Sequence, residues 1–140
     1  MECEMCAAAG EDYRLLYKDE FCFCVVNREM MKKGHIMVIP MRHVTELCEL
    51  SAEESGAIIS LIWKMEHAVR RKYGEEVLVV LNRGSHCSQE HIHFHILPSK
   101  GNMRNLVSCF EGVPYSKEAN AKALRAVKDE IKSYMKENQV

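Results

Sequence analysis

His91, His93 and His95 alternate with Ile92, Phe94 and Ile96 in the segment His91-Ile92-His93-Phe94-His95-Ile96-Leu97-Pro98. In extended backbone every second side chain shares a face, about 6.6 Å apart, so this spacing predicts a row of three imidazoles backed by an apolar face. A half-buried polar face with no further task would use Thr, Ser, Lys or Glu, because each imidazole brings a nitrogen that must be bonded or protonated. The row therefore reads as a site. A neutral imidazole can attack phosphorus while its neighbours fix its tautomer and take up charge. His93, flanked on both sides, is the expected nucleophile. Just upstream, Asn82-Arg83-Gly84-Ser85-His86-Cys87-Ser88-Gln89-Glu90 offers small polar residues whose backbone N–H groups can turn towards a phosphate. With no magnesium-type carboxylate cluster evident, the chemistry expected is phosphoryl-type transfer resting on position and on charge stabilisation by the loop and His95.

A second group of ligating residues lies at the N-terminus, where Cys3-Glu4-Met5-Cys6 places two thiols on one tight turn. Two thiolates at this spacing can grip a tetrahedral metal if two further ligands come from elsewhere. The available pool is His35, His43, His67, His86 and the three clustered histidines. A redox role for the pair is disfavoured because no βαβ pattern surrounds it. A single catalytic metal held by all three clustered histidines is also disfavoured, since their spacing spreads the side chains over about 13 Å.

The elements that must position these groups are legible from periodicity. Strands are predicted over Tyr13 to Tyr17, Phe21 to Val26, His35 to Ile39, Val77 to Leu81 and the histidine segment. A helix opens on the capping box Ser51-Ala52-Glu53-Glu54, places Ile58, Ile59, Ile62, Met65 and Val69 at helical spacing, and stops at Tyr73-Gly74. A second runs from about Ser116 to Glu137 with Leu124, Val127, Ile131 and Tyr134 on one face. The order β-β-β-α-β-β-α groups strands in hairpin-like runs, which predicts an α+β domain with a largely antiparallel five-stranded sheet and two helices.

The chain has 140 residues, 47% of them hydrophobic, and a net charge of -1, which predicts one domain over 1–140 with a substantial core. No basic stripe is present for polymeric nucleic acid or an anionic membrane. No apolar run reaches the length of a signal core or a membrane span. Seven cysteines, an odd number scattered through packed segments, suggest reduced thiols and an intracellular, cytoplasmic setting.

Taken together, the chain resembles the histidine-triad family of small nucleotide-binding hydrolases and transferases. The residues that carry the resemblance are His91 to Pro98, Gly34-His35-Ile36-Met37-Val38-Ile39-Pro40-Met41-Arg42-His43-Val44, the Glu49-Leu50-Ser51-Ala52-Glu53-Glu54 helix entry, Asn82-Arg83-Gly84 and the closing helix. The resemblance implies hydrolysis at the α-phosphorus of a small, purine nucleotide conjugate through a nucleotidyl-histidine on His93, with His95 and His35 as supporting histidines. The leaving group would be an amine, as in nucleoside phosphoramidates, an amino-acid carboxylate, as in aminoacyl adenylates, or a second nucleotide, as in dinucleoside polyphosphates. A binding module with little turnover is the remaining alternative. In relatives with an N-terminal C-x₂-C pair, the matching ligands of a structural zinc are Cys3, Cys6, His43 and His91. Asn27 falls at the ribose contact, Asn82 at a phosphate-side contact, and Ser88 and Gln89 at the family's Gly-Gln. The loop is two residues shorter than in most relatives, which leaves Ser88 and Glu90 both open as proton donor to the leaving group. Asn27-Arg28-Glu29-Met30 replaces the usual D-I-x-P, and Glu4 and Arg28 fall where relatives place apolar base contacts. The resemblance also implies a homodimer whose sheets join edge to edge near Val77 to Leu81.

Overall fold

The computed structural model describes residues 2–74, 76–84, 87–114 and 118–139. The elements run α1 (Glu4–Ala8), β1 (Leu15–Lys18), β2 (Cys22–Val26), β3 (Ile36–Pro40), α2 (Ala52–Tyr73), β4 (Val77–Leu81), β5 (Phe94–Pro98), α3 (Met103–Glu111) and α4 (Ala121–Asn138). All strand pairs are antiparallel, in the order β1-β2-β3-β5-β4, so the sheet is open with β4 on one edge. The expected α+β class and five-stranded antiparallel sheet are present. The expected two helices are four among the described residues. Helix α1 escaped the periodicity reading because five residues span barely more than one turn, and α3 because no capping pattern announces it. Helix α4 starts at Ala121 with Asn120 as its cap, Oδ1 accepting from the Ala123 N–H at 2.9 Å. The Ser116 start anticipated for it lies outside the described residues.

Residues 1–102 and 103–140 form two compact units. In the first, β2 and β3 are buried on both faces, and their alternation divides two cores. Cys22, Cys24, Ile36, Val38 and Ile96 pack with Ile58, Leu61 and Val69 of α2 on one face. Phe23, Val25, Met37 and Ile39 pack with Met5 and Ala8 of α1 on the other. The buried stripe of α2 differs from expectation at one place: Leu61 is buried and Ile59 is exposed. The stripe 58-61-62-65-69 keeps to helical spacing, whereas residue 59 lies a full 100° step off it.

The ends of α2 follow the sequence signals. The Glu54 N–H donates to Ser51 Oγ at 3.1 Å and the Ser51 N–H donates to Glu54 Oε2 at 2.8 Å, a reciprocal capping box. Gly74, at φ 63°, closes the helix. Gly34, at φ 99°, turns the chain into β3 beneath Tyr73, and a Cβ there would fall 2.5 Å from the Tyr73 ring. That turn fixes where His35 emerges.

Two strand boundaries differ from expectation for local reasons. The Arg14 N–H donates to the Glu11 carbonyl at 3.1 Å, which turns the chain at 13–14 and delays β1 to Leu15. The histidine segment is not one strand: β5 begins at Phe94, where its pairings with Leu81 of β4 and Val38 of β3 begin. His91 and His93 precede it, and the Ile92 N–H donates instead to the Val44 carbonyl at 2.8 Å.

The second unit comprises α3, closed by Gly112 at φ 66°, and α4. Leu124, Val127, Ile131 and Tyr134 lie along α4 as predicted, and all four are exposed. No described helix is long and apolar enough to cross a membrane.

Candidate functional site

Register places His95 on the α1 face of the sheet. It pairs with Met37, a member of that face's core, while its neighbours Phe94 and Ile96 pack on the α2 side. His35, two residues before Met37, shares the same face. The result is a diagonal contact in which His35 Nε2 lies 2.8 Å from His95 Nδ1. The Met31 N–H donates to His35 Nδ1 at 3.3 Å, which assigns the His35 proton to Nε2 and makes that nitrogen the donor to His95. His95 then carries its own proton on Nε2. Burial, followed by the neighbouring His93 and His35, pushes His95 down to about 4. Burial likewise lowers His35, so the pair is a neutral relay with a defined direction.

His93 lies next in the row, its ring centroid 4.8 Å from that of His95 in an edge-on arrangement. The residue is 5% exposed. Its Nδ1–H donates to the His91 carbonyl at 2.9 Å. With Nδ1 holding the proton, Nε2 keeps its lone pair, and the His91 carbonyl faces the nitrogen that becomes positive when Nε2 forms a bond. This is the tautomer that a nucleophilic imidazole requires.

His91 is fully buried and has a different employment. Its Nε2–H donates to the Pro40 carbonyl at 3.1 Å, leaving Nδ1 unprotonated and turned towards the N-terminal cysteines. His91 Nδ1 lies 3.6 Å from Cys3 Sγ and 3.4 Å from Cys6 Sγ, and Cys6 Sγ lies 3.4 Å from His43 Nδ1. The four ligating atoms all lie within 4.8 Å of one another. A tetrahedral zinc, with bonds of about 2.3 Å to sulfur and about 2.0 Å to nitrogen, places its ligand atoms about 3.3–3.8 Å apart. The donor set and the three short distances fit such an ion, and the widest pair would close by about 1 Å on ligation. Burial and the adjacent Cys3 push the Cys6 thiol up, so a cation beside it would favour its thiolate. Of the triad, only His91 belongs to this group among the described residues.

The segment between these ligands is anchored to α2. Arg42, next to His43, donates from Nε to Glu54 Oε1 and from Nη2 to Glu54 Oε2, both at 2.9 Å. Arg42 first, and the Ser51 N–H second, hold the Glu54 carboxyl down to about 2. Arg83 ties the far end of the loop, donating to the Glu90 carbonyl at 3.3 Å and to Glu46 Oε1 at 2.7 Å. Sequence reading missed these positioning groups and the Met31 N–H and Pro40 carbonyl. The capping box announced Glu54 only as a cap, and a backbone group carries no side-chain signal.

The remaining expected contacts divide. Asn27 Oδ1 accepts from the Glu29 N–H at 2.9 Å, which turns its amide nitrogen to within 3.3 Å of His35 Nε2. The amide donates to Met37 Sδ at 3.6 Å, so Asn27 lies beside the histidine cluster without bonding to His35 Nε2–H. Arg14, buried and ion-paired with Glu11, donates from Nη1 to the Val26 carbonyl at 2.9 Å and pins the end of β2 just before it. Ser88 and Gln89 line a cleft of about 460 Å³ together with Glu2, Cys3, Glu4, His43, Glu90 and His91. The structure therefore gathers them beside the Cys/His cluster, one step along the row from His93. Asn82 follows the last β4 pairing, Leu81 with Phe94, and so stands at the open end of β4 nearest the His93 end of the row. Ser85 and His86 lie outside the described residues.

Comparison with known proteins agrees with this geometry. The model of the HIT domain matches residues 9–102. The chain belongs to the HIT family. Adenosine 5'-monophosphoramidase hnt1 of Schizosaccharomyces pombe is 33% identical over 106 residues, 74% of each chain. Adenylylsulfatase HINT3 of Arabidopsis thaliana is 28% identical over 88 residues, 61% of this chain but 45% of that protein. A crystal structure of a HIT-family member from Bacillus subtilis superposes with a TM-score of 0.71 over 95% of this chain and 96% of that one, at 22% identity. That likeness establishes the HIT fold for the present sheet and helices.

Proposed function

We propose that this chain works as one HIT domain over 1–140 that hydrolyses the α-phosphate linkage of small purine nucleotide conjugates of the nucleoside phosphoramidate or aminoacyl-adenylate type. The observation that carries the reading is the His93 Nδ1–H bond to the His91 carbonyl, which reserves Nε2 for attack. In the first step the Nε2 lone pair forms a bond to the α-phosphorus as the bond to the leaving nitrogen, or in an aminoacyl adenylate to the carboxylate oxygen, breaks. An amine leaving group takes up a proton from the loop donor, Ser88 or Glu90. The His91 carbonyl stabilises the resulting imidazolium, and the neutral His35–His95 pair adds no charge that would oppose it. In the second step water attacks phosphorus, the electron pair returns to His93 Nε2, the water's proton restores the loop donor, and the nucleoside monophosphate leaves. Asn27 and Asn82 are assigned to the nucleotide, and Ser88 and Gln89 to the loop around it. An amine leaving group is favoured because the Schizosaccharomyces pombe relative hnt1 is named a monophosphoramidase.

Cys3, Cys6, His43 and His91 would hold a structural zinc, which would neutralise the thiolates and tie the N-terminal arm to the triad. With four protein ligands it would keep no open position for substrate. All seven cysteines are free, which suits the reducing interior of a cell. A homodimer formed by the β4 edge is supported by Ile59 and Trp63 of α2, which are 63% and 69% exposed.

The test is release of adenosine monophosphate from an adenosine phosphoramidate, an aminoacyl adenylate and a dinucleoside polyphosphate. The expected result is fastest release from the first two and none above background with His93→Ala. Preference for the polyphosphate would reassign the leaving group, and binding without turnover would make the chain a nucleotide-binding module. Light scattering on the intact chain checks the dimer, and elemental analysis checks the zinc.

A further inference from the structure

Helix α1 carries more than the cysteine pair. Glu4, between Cys3 and Cys6, accepts a hydrogen bond through Oε2 from Gln89 Nε2 at 3.1 Å, across 85 residues of chain. Gln89 is held at its other end as well, because the Cys87 thiol donates to the Gln89 carbonyl at 2.8 Å. The α1 turn and the loop before the triad thus line one cleft, with Cys3, Glu4, Ser88, Gln89 and His91 all on its walls. We propose that Glu4 is a positioning residue that latches Gln89, so that a divalent cation in the Cys3/Cys6/His43/His91 cluster sets how firmly the loop holds a nucleotide phosphate. The geometry gives the reason. Ligation would fix Sγ of Cys3 and of Cys6, and the carboxylate between them would then have little freedom to leave Gln89. Without the cation, α1 is held to the sheet by the packing of Met5 and Ala8, and the latch loosens. The consequence for nucleotide rests on the reading of Gln89 as a nucleotide contact; the latch itself does not.

The experiment uses the full chain, zinc-loaded or stripped with a chelator, and measures two things. One is the dissociation constant for adenosine monophosphate by calorimetry. The other is amide hydrogen exchange over residues 87–90 without nucleotide. Loss of one charge-assisted hydrogen bond at an exposed site predicts that Glu4→Ala weakens monophosphate binding and raises KM about two- to fivefold, with kcat within about twofold. Glu4→Gln, whose amide oxygen still accepts from Gln89, restores both. Stripping zinc from the wild type weakens binding by a similar factor and changes Glu4→Ala little further. Exchange at 87–90 speeds up in Glu4→Ala and in the stripped wild type alike. Gln89→Leu, which leaves the cysteines and Glu4 in place, reproduces the loss, and the double variant is no worse than either single one. Unchanged exchange in Glu4→Ala with its zinc retained overturns the latch, as does full additivity with Gln89→Leu. A faster-exchanging loop with an unchanged dissociation constant overturns the link to nucleotide. A wild type that binds no monophosphate overturns the nucleotide reading itself, while the exchange data still judge the latch.

Discussion

His91 and His95 stand four residues apart in one short segment, and their rings are oriented by different parts of the molecule. His95 belongs to β5 and is aimed by the sheet, through its pairing with Met37 and its contact with His35. His91 precedes β5 and is aimed by groups outside it: the Pro40 carbonyl on one nitrogen and the thiols of an N-terminal turn on the other. His93 lies between and draws on both ends, taking its tautomer from the His91 carbonyl and its neighbouring ring from His95. An imidazole has two nitrogens, and whichever is bonded first decides what the other can do. Three identical side chains thereby become a cation ligand, a nucleophile and a neutral relay.

The contrast is open to direct attack. The largest expected effect belongs to the residue that depends on both ends. His93→Ala should lower turnover by about 10³-fold or more, and intact-mass measurement during turnover should lose the nucleotidyl adduct. An adduct that survives the substitution would move the nucleophile elsewhere in the row.

The His91 end should be mainly a stability device. Chelation, or Cys6→Ser, should lower the melting temperature by roughly 5–15 °C while kcat at low temperature changes much less. An unchanged melting temperature, with no metal in the purified protein, would dissolve the distinction between the two ends.

The His95 end should report itself through pH. Its folded pKa, about 4, lies below the ordinary 6.5, so the folded state binds fewer protons than the unfolded one. Its contribution is complete above pH 6.5 and is lost as pH falls towards 4. Denaturant titrations across that range should show a loss of about 1–2 kcal/mol, less than the ~3 kcal/mol of the full shift because the ring is only partly buried, and the loss shrinks in His95→Asn. A flat profile would mean that the ring is charged or solvated and that the relay is absent.

The smallest effect tests the anchor behind His43. Glu54→Gln weakens both the capping box and the Arg42 pair, at a cost of about 1 kcal/mol by denaturant titration. The Glu54 carboxyl, held down to about 2 from the ordinary 4.5, contributes fully above pH 4.5 and loses that contribution as pH falls towards 2. The wild-type advantage over Glu54→Gln should therefore fade in strong acid. If it does not, the cap acts through shape alone.

Legibility in the sequence followed the length of each signal. The strands β2, β3 and β4 and the helix α2 announced themselves because many residues repeat one period and named residues cap the ends. Helix α1 was invisible because five residues hold no period, yet it brings Cys3 and Cys6 to His91. The histidine segment read as one strand because its alternation is perfect. Alternation reports which residues face apart, but strand pairing needs partners, and these begin only at Phe94.

The order of residues alone therefore determined the antiparallel α+β class, the histidine row, the capping of α2 and the two families of ligating side chains. Those follow from local periodicity and from the chemistry of residue types. Only the folded chain decided which nitrogen of each imidazole is occupied, that Asn27 turns towards His35, and that Gln89 reaches Glu4. Such choices depend on hydrogen bonds between positions tens of residues apart and on backbone carbonyls every residue possesses, and neither leaves a mark in the order of side chains.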